Sequence, residues 1–160
     1  MGVVSCAMNG LYSIICRDVD TAEGGIDPDD TVNHAPSFLR HVGEKIDFLP
    51  GDGIDRKVQI MYEGTAEWHT LKSSASRKRM RTFNALIRIG YFAGSHVDET
   101  HIAMGDDEQD IVEAIGLSVN WPDSCTEGCV NGYIPATSEV KDLEDGRFIL
   151  EITVGVQVTG

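Results

Sequence analysis

Two stretches of the chain carry an apolar residue at every second position. From residue 148 to residue 158 the even positions are apolar, and from residue 83 to residue 91 the odd positions are apolar. A period of two gives a strand one buried face and one wetter face, which is typical of antiparallel sheets. Both stretches are therefore predicted to be antiparallel strands, and the Asp145-Gly146 pair predicts a hairpin turn into the later one.

The chain also contains candidate amphipathic helices. Apolar residues at helical spacing predict one helix over residues 4–17 and a second, acidic helix over residues 100–116. The buried stripe predicted for the second helix consists of Met104, Glu108, Ile111, Val112 and Ile115. Its other acidic residues are expected in solvent, near the positive end of the helix dipole. The predicted fold is α+β, mainly an antiparallel sheet packed against one or two helices.

The remaining segments give weaker patterns. Residues 37–46 suggest a short helix with Ser37 as its N-cap, and residues 57–62 alternate as a strand does. The region 130–143 predicts two short strands, around Tyr133 and Val140. A length of 160 residues suits one domain over residues 1–160, with a long acidic loop near residues 18–35 and a basic arm near residues 63–81.

Charge is distributed unevenly along the chain. The net charge of −13 argues against general nucleic-acid binding, which needs a basic footprint. Five of the basic residues nevertheless fall within ten positions that hold no acid: Lys72, Arg77, Lys78, Arg79 and Arg81. A basic loop on an acidic body suits contacts between identical subunits, although a plain solvated loop fits the same charges.

Two tryptophans are further interface candidates. Trp68 and Trp121 are both flanked by polar residues. Tryptophan is enriched in the energetic centres of interfaces. A semi-buried structural anchor is the alternative interpretation of each.

No segment carries a motif for catalysis or cofactor binding. The five histidines lie in loops or at element edges, and neither a nucleophile elbow nor a phosphate-binding loop is present. The acidic groups at 52–55 and 106–108 read as solvated surface, and Cys125 and Cys129 are spaced too loosely for a common zinc knuckle. We therefore expect no enzyme activity, cofactor or metal. A small metal-binding or enzymatic domain that uses these cysteines is the alternative of a different class, and a monomeric binding module is a third.

The order of elements resembles a known family over residues 57–160. The segments that carry the resemblance are Leu86-Ile87-Arg88-Ile89-Gly90-Tyr91, then an acidic helix ending near Asn120-Trp121-Pro122, then the closing strand Phe148-Ile149-Leu150-Glu151-Ile152-Thr153-Val154. Together they resemble the tail terminator proteins of long-tailed bacteriophages.

This resemblance implies a structural virion protein that is assembled in the host bacterial cytoplasm. Its subunits would form a hexameric ring at the head-proximal end of the tail, end the growth of the tail tube and join the tail to the head connector. The tail-tube protein and a connector or neck protein would be its partners, with neither cofactor nor membrane. DNA would pass through the acidic lumen without specific binding. Another neck component, such as a head-completion or connector-adaptor protein, or a tail-tube subunit is the alternative within the same class.

Overall fold

The computed structural model describes residues 2–16, 25–26, 38–40, 56–69, 80–117, 120–121 and 130–159. Within these ranges the chain forms two helices and five strands. The helices are α1 (Val3–Ile15) and α2 (Val97–Gly116). The strands are β1 (Phe38–Arg40), β2 (Arg56–His69), β3 (Met80–Phe92), β4 (Val130–Asp142) and β5 (Arg147–Thr159).

The strands form one sheet in the order β1-β2-β3-β5-β4. Strands β2, β3, β5 and β4 are antiparallel neighbours, while the three-residue β1 pairs with the start of β2 in parallel. The pairing of β3 with β5 is regular along its whole length, from Met80 opposite Thr159 to Phe92 opposite Arg147. This architecture confirms the predicted α+β fold.

Both helices pack on one face of the sheet. That face consists of the odd positions of β3 and the even positions of β5, and these are buried as the period of two predicted. The helices contribute fully buried side chains such as Leu11, Ile15, Ile111 and Ile115. Burying an aliphatic side chain of this size stabilises a fold by roughly 1.5–3 kcal/mol, so this apolar layer is the main stabilising contact between helices and sheet.

The opposite face of the sheet is polar but partly enclosed. Glu151 on β5 lies between Arg88 on β3 and Lys141 on β4; its carboxylate is 3.5 Å from the Arg88 Nε and pairs with the Lys141 ammonium. Glu151 is only 7% exposed and Ile149 only 4%. Because β5 has a strand on each side, its neighbours shield even the face that alternation assigned to water.

The β4–β5 connection is the predicted hairpin turn. Glu144, Asp145 and Gly146 all have positive φ angles, and the Gly146 carbonyl accepts a 2.7 Å hydrogen bond from the Ala93 amide. A Cβ at position 146 would lie 3.1 Å from the Gly94 backbone nitrogen. The glycine therefore serves both the left-handed turn and the close approach of the β3–α2 connection.

Several predicted boundaries are wrong, and each error has a tertiary cause. Residues 38–40 of the predicted helix 37–46 form β1, because they pair with Arg56, Lys57 and Val58. Residues 63–69, which were expected in the loop, extend β2 along β3. The two strands predicted in 130–143 are one strand, β4, since two register irregularities let it follow β5 throughout.

Much of the predicted loop structure lies outside the described residues. Of the acidic loop near 18–35, the structure describes Gly25 and Ile26, and the Ile26 side chain packs against the core. Neither α1 nor α2 has the length and apolarity that crossing a membrane requires.

Candidate assembly surface

The candidate interface residues do not form one described site. Lys72, Arg77, Lys78 and Arg79 lie outside the described residues. Arg81 is half-buried at the start of β3, between Trp68 on β2 and Val158 on β5. The backbone of Trp68 belongs to β2, so this tryptophan is part of a strand and not of a loop.

Trp121 is a core residue. It is 6% exposed, and its indole N–H donates a 2.8 Å hydrogen bond to the carbonyl of Ile115 in the last turn of α2. This bond satisfies one carbonyl that the helix end leaves without an intrahelical partner. Trp121 therefore matches the structural-anchor interpretation, and its indole is not available as a surface contact.

The sheet has an open edge at β4. Among the described ranges no strand lies beyond β4, and residues 137–145 are all exposed, including Val140 at 43%. An edge strand presents backbone N–H and C=O groups that another extended segment can pair with. The sequence prediction missed this surface because strand order is not visible in a local pattern. The one available signal was the polar run around Val140 before the hairpin turn.

The surroundings of this edge are acidic. Residues 137–145 hold four acids and one base, Lys141. From α2, Glu108 approaches the strand and accepts a 2.6 Å hydrogen bond from the Ser138 hydroxyl. Lys141 already pairs with Glu151, and the hydrogen bond and negative charge of that carboxylate raise the pKa of the lysine. Asp145 lies 3.9 Å from the Arg147 guanidinium just beyond the hairpin turn, and the run as a whole remains acidic.

At the other edge of the sheet, β1 covers residues 56–58 of β2, and a side chain from α1 covers the backbone of Ile60. Past the last β1 pair, the Tyr12 hydroxyl accepts a 2.9 Å hydrogen bond from the Ile60 amide and donates a 3.1 Å bond to the Ile60 carbonyl. The Arg40 guanidinium lies over the Tyr12 ring, 3.9 Å from its centroid. A side chain thus occupies the backbone groups that a further strand would use.

A buried polar cluster fastens α2 to the sheet. Asp107 is 1% exposed, accepts a 2.5 Å hydrogen bond from the Tyr91 hydroxyl, and lies 2.8 Å from the Arg56 Nε. Burial, followed by the charge and hydrogen bond of Asp107, raises the pKa of Tyr91. Asp107 was expected in solvent with the other helix acids. Its spacing of three from Met104 and four from Ile111 was the signal that placed it on the inner face.

The carboxylates of residues 106–108 do not lie together in one site. Asp106 is exposed, Asp107 faces Arg56 and Tyr91, and Glu108 bonds to Ser138. Within the described ranges no group of three or more potential ligands could hold a metal ion. The segment 52–55 and the pair Cys125 and Cys129 lie outside those ranges.

Of the two described cysteines, Cys6 is half-buried and Cys16 is buried. Burial raises the pKa of the Cys16 thiol to about 12, although the Arg40 charge acts in the opposite direction. A thiol with such a pKa is protonated at neutral pH and unreactive as a nucleophile.

Comparison with known proteins finds a likeness among solved structures. No protein-family model matches the chain, and no curated protein matches it. Among solved structures, a chain from the virion of a native gene transfer agent particle is similar, with a TM-score of 0.52 and 13% sequence identity. The likeness covers 78% of this chain and 79% of that chain. The likeness concerns the fold, which the two chains share over most of their lengths.

Proposed function

We propose that this protein is a structural component of a phage-like virion and, within that class, a tail terminator. The single observation that carries the proposal is the likeness to a chain of a gene transfer agent virion, which spans most of both chains. The element order of residues 57–160, which resembles phage tail terminators, supports the finer assignment. In this role the protein has no enzymatic activity and needs no cofactor.

The proposed assembly is a hexameric ring at the head-proximal end of the tail. It would contact the tail-tube protein on one side and a connector or neck protein on the other. The β4 edge, beyond which no described strand lies, supports assembly, because such edges are commonly paired or covered in oligomers. The net charge of −13 suits a lumen through which DNA passes, since like charge suppresses phosphate contacts.

The mass of the purified protein, measured by light scattering with and without a chelator, tests the assembly. A chelator-insensitive hexamer, or a monomer that forms rings on added tail tubes, is the expected result. A chelator-sensitive monomer that loses bound zinc would overturn the proposal in favour of a metal-binding domain.

The tail-length distribution of particles made without the protein tests the finer role. A terminator predicts tubes of uncontrolled length and heads without attached tails, seen by electron microscopy. Absence of tubes would indicate a tube subunit instead. Tails of normal length on unfilled or leaking heads would indicate another neck component.

A further inference from the structure

We infer that the β4 edge pairs with the β4 edge of a second copy of this chain, as two antiparallel strands around a two-fold axis at Val140. The β4 edge is the exposed run 137–145, and no described strand lies beyond it. A two-fold contact closes at two copies, so it is separate from the cyclic contacts of the proposed ring. The inference goes beyond the proposed function and describes the chain before it joins a tail.

The backbone of β4 offers its hydrogen-bonding groups in one regular stretch. Over residues 137–142 the strand pairs with β5 without irregularity, and the Leu143 N–H still donates a 2.9 Å hydrogen bond to the Arg147 carbonyl of β5. Backbone groups of successive residues in an antiparallel strand point to opposite sides. Because Leu143 points toward β5, so do the other odd positions. The groups that point away from β5 belong to the even positions, Ser138, Val140 and Asp142.

The ends of this stretch set the register of a self-pairing. In a two-fold antiparallel pair, the alternation of side chains requires that one residue lies opposite its own copy. The regular stretch runs from the irregularity after Pro135, which has no N–H, to the hairpin turn after Leu143. Its midpoint is Val140, which therefore pairs with Val140 of the second copy. Ser138 then pairs with Asp142 of the second copy, and these residues exchange hydrogen bonds through the groups that point away from β5.

The same register places opposite charges together. Glu139 of each copy lies across from Lys141 of the other copy, in a pair without backbone hydrogen bonds. In such pairs the Cα atoms are about 4.5 Å apart and the side chains are closest. A register shifted by one residue would centre on Glu139 or Lys141 and set like charges directly opposite each other. Charge complementarity thus selects the register that the ends of the strand also select.

Within the subunit, Glu139 lies opposite another acid. Its partner position on β5 is Glu151, and like charges directly opposite each other in a sheet are unfavourable. Lys141 pairs with Glu151, and the hydrogen bond and charge of Glu151, followed by the charge of Glu139, raise the pKa of this lysine. A second copy adds a lysine on the outer side of Glu139. The charges of Glu139 and Lys141 in the two copies then alternate around the two-fold axis.

The uncovered part of the other sheet edge is a poorer match for β4. Beyond Ile60, β2 runs to His69 through two register irregularities. Residues 61–69 carry two acids and neither lysine nor arginine. Pairing there would bring acids together without a compensating base. The β4 edge of a second copy is therefore the better partner.

The pair is expected to be weak and reversible. A ladder of about seven residues per copy is small beside the roughly 1,200–2,000 Å² that stable interfaces bury. The other acids of the run also repel those of the second copy. We expect a dissociation constant on the order of 0.1 mM, so that dilute protein is monomeric.

Charge reversal at the two central positions tests the pairing. Glu139→Lys sets bases opposite each other, Lys141→Glu sets acids opposite each other, and the double variant restores opposite charges. Asp106→Lys, at an exposed position on α2, is the control, because it changes the net charge by the same amount as Glu139→Lys. We expect dimer formation, measured by sedimentation equilibrium from about 10 μM to about 1 mM, to weaken about tenfold in either single variant and to stay within about twofold of wild type in the double and control variants.

An equimolar mixture of the two single variants separates self-pairing from other contacts. Both central positions are then basic in one variant and acidic in the other, so every central cross-strand pair is complementary. We expect the mixture to associate at least as tightly as wild type. A mixture that stays dissociated, or wild-type association in Glu139→Lys, would overturn the inference.

Val140→Pro tests the strand ladder without changing charge. The Val140 N–H points away from β5, so proline removes a group that the β4–β5 pairing does not use, and edge strands tolerate proline at such positions. We expect the dimer to be lost while the Glu139 and Lys141 amides, which face β5, keep their slow hydrogen exchange. A Val140→Pro dimer as tight as that of wild type would rule out the ladder.

Hydrogen exchange in the wild-type protein gives the most specific pattern. Between about 10 μM and about 1 mM, amide exchange should slow by about threefold or more at Ser138, Val140 and Asp142 and change little at Glu139 and Lys141. Exchange that is independent of concentration, or that slows equally at all five positions, would contradict the pairing. A hexamer whose mass is unchanged in Glu139→Lys and Val140→Pro would remove the pairing and leave the proposed ring intact. Tail-length counts test the terminator role separately.

Discussion

The two edges of the sheet differ in how far other described residues cover their backbone. At the β1–β2 edge, a short parallel strand and the Tyr12 hydroxyl cover the backbone, and Arg40 covers the Tyr12 ring. At the β4 edge, residues 137–145 are exposed, and the neighbouring side chains are mostly acidic. Edge strands invite unwanted pairing, so proteins usually block them. Within the described residues, the chain thus covers part of the backbone at one edge, whereas no described strand covers the other.

The two edges also differ in what stabilises them. Next to the closed edge, Arg56 at the start of β2 is held by Asp107 from α2 within a buried cluster. Next to the β4 edge, the buried carboxylate of Glu151 on β5 forms an ion pair with Lys141, whose side chain is 48% exposed. Changes on the closed side should therefore alter the stability of the subunit, whereas changes on the open side should mainly alter association.

The largest expected loss comes from Asp107→Ala. This change leaves the Arg56 charge buried without its partner, which typically costs about 3–5 kcal/mol. Urea unfolding measures the loss. Asp106→Ala, one residue earlier but exposed, should change the free energy of unfolding by less than about 0.5 kcal/mol. Equal effects of the two substitutions would contradict the structural role of the buried cluster.

Removing the hydroxyl that blocks the closed edge should have an intermediate effect. Tyr12→Phe keeps the ring beneath Arg40 but loses both hydrogen bonds to Ile60, each worth about 0.5–1.5 kcal/mol. The Ile60 amide should also exchange faster with solvent. Tyr62→Phe is the matched control, because the hydrogen bond between the Tyr62 and Thr65 hydroxyls is exposed to solvent and should matter little. Unchanged exchange at Ile60 in the Tyr12 variant would show that the edge is closed by other means.

Alkaline pH should destabilise the subunit through the buried cluster. The pKa of Tyr91 is raised above its ordinary value of 10.0, so the folded chain keeps a proton that the unfolded chain releases. Stability is then fully present below pH 10 and falls as pH rises above it. The Cys16 thiol, whose pKa is raised from 9.0 to about 12, acts in the same direction from pH 9.

Unfolding midpoints measured from pH 8 to pH 11 check this dependence. Tyr91→Phe should flatten the decline above pH 10. An identical pH slope for wild type and Tyr91→Phe would rule out the tyrosine as a source of the decline.

The smallest effect on stability is expected at the open edge itself. Val140 is 43% exposed, so Val140→Thr should change the free energy of unfolding by less than about 0.5 kcal/mol. Thermal unfolding of dilute monomer is the measurement. A loss above about 1 kcal/mol would mean that Val140 is packed within the subunit, and the contrast between the edges would fail.

Part of the candidate surface was predictable from the sequence. The basic cluster at 72–81 and the acidic character of the second helix are visible as runs of charge. The buried acid was missed, although the spacing of Asp107 from Met104 and Ile111 assigns it to the inner face of the helix. The role of Trp121 was equally undetermined, since its polar neighbours in the sequence are not its neighbours in space.

The sequence by itself determined the strands at 83–91 and 148–158, the two helices and the hairpin turn at Asp145-Gly146. These follow from side-chain periodicity and backbone preference, which act within a few residues. Only the tertiary structure decided that β5 lies inside the sheet, that residues 38–40 form a strand, that Tyr12 covers the Ile60 backbone, and that no described strand lies beyond β4. Strand order depends on contacts between residues far apart in the chain, so a local pattern does not show which segments become neighbours.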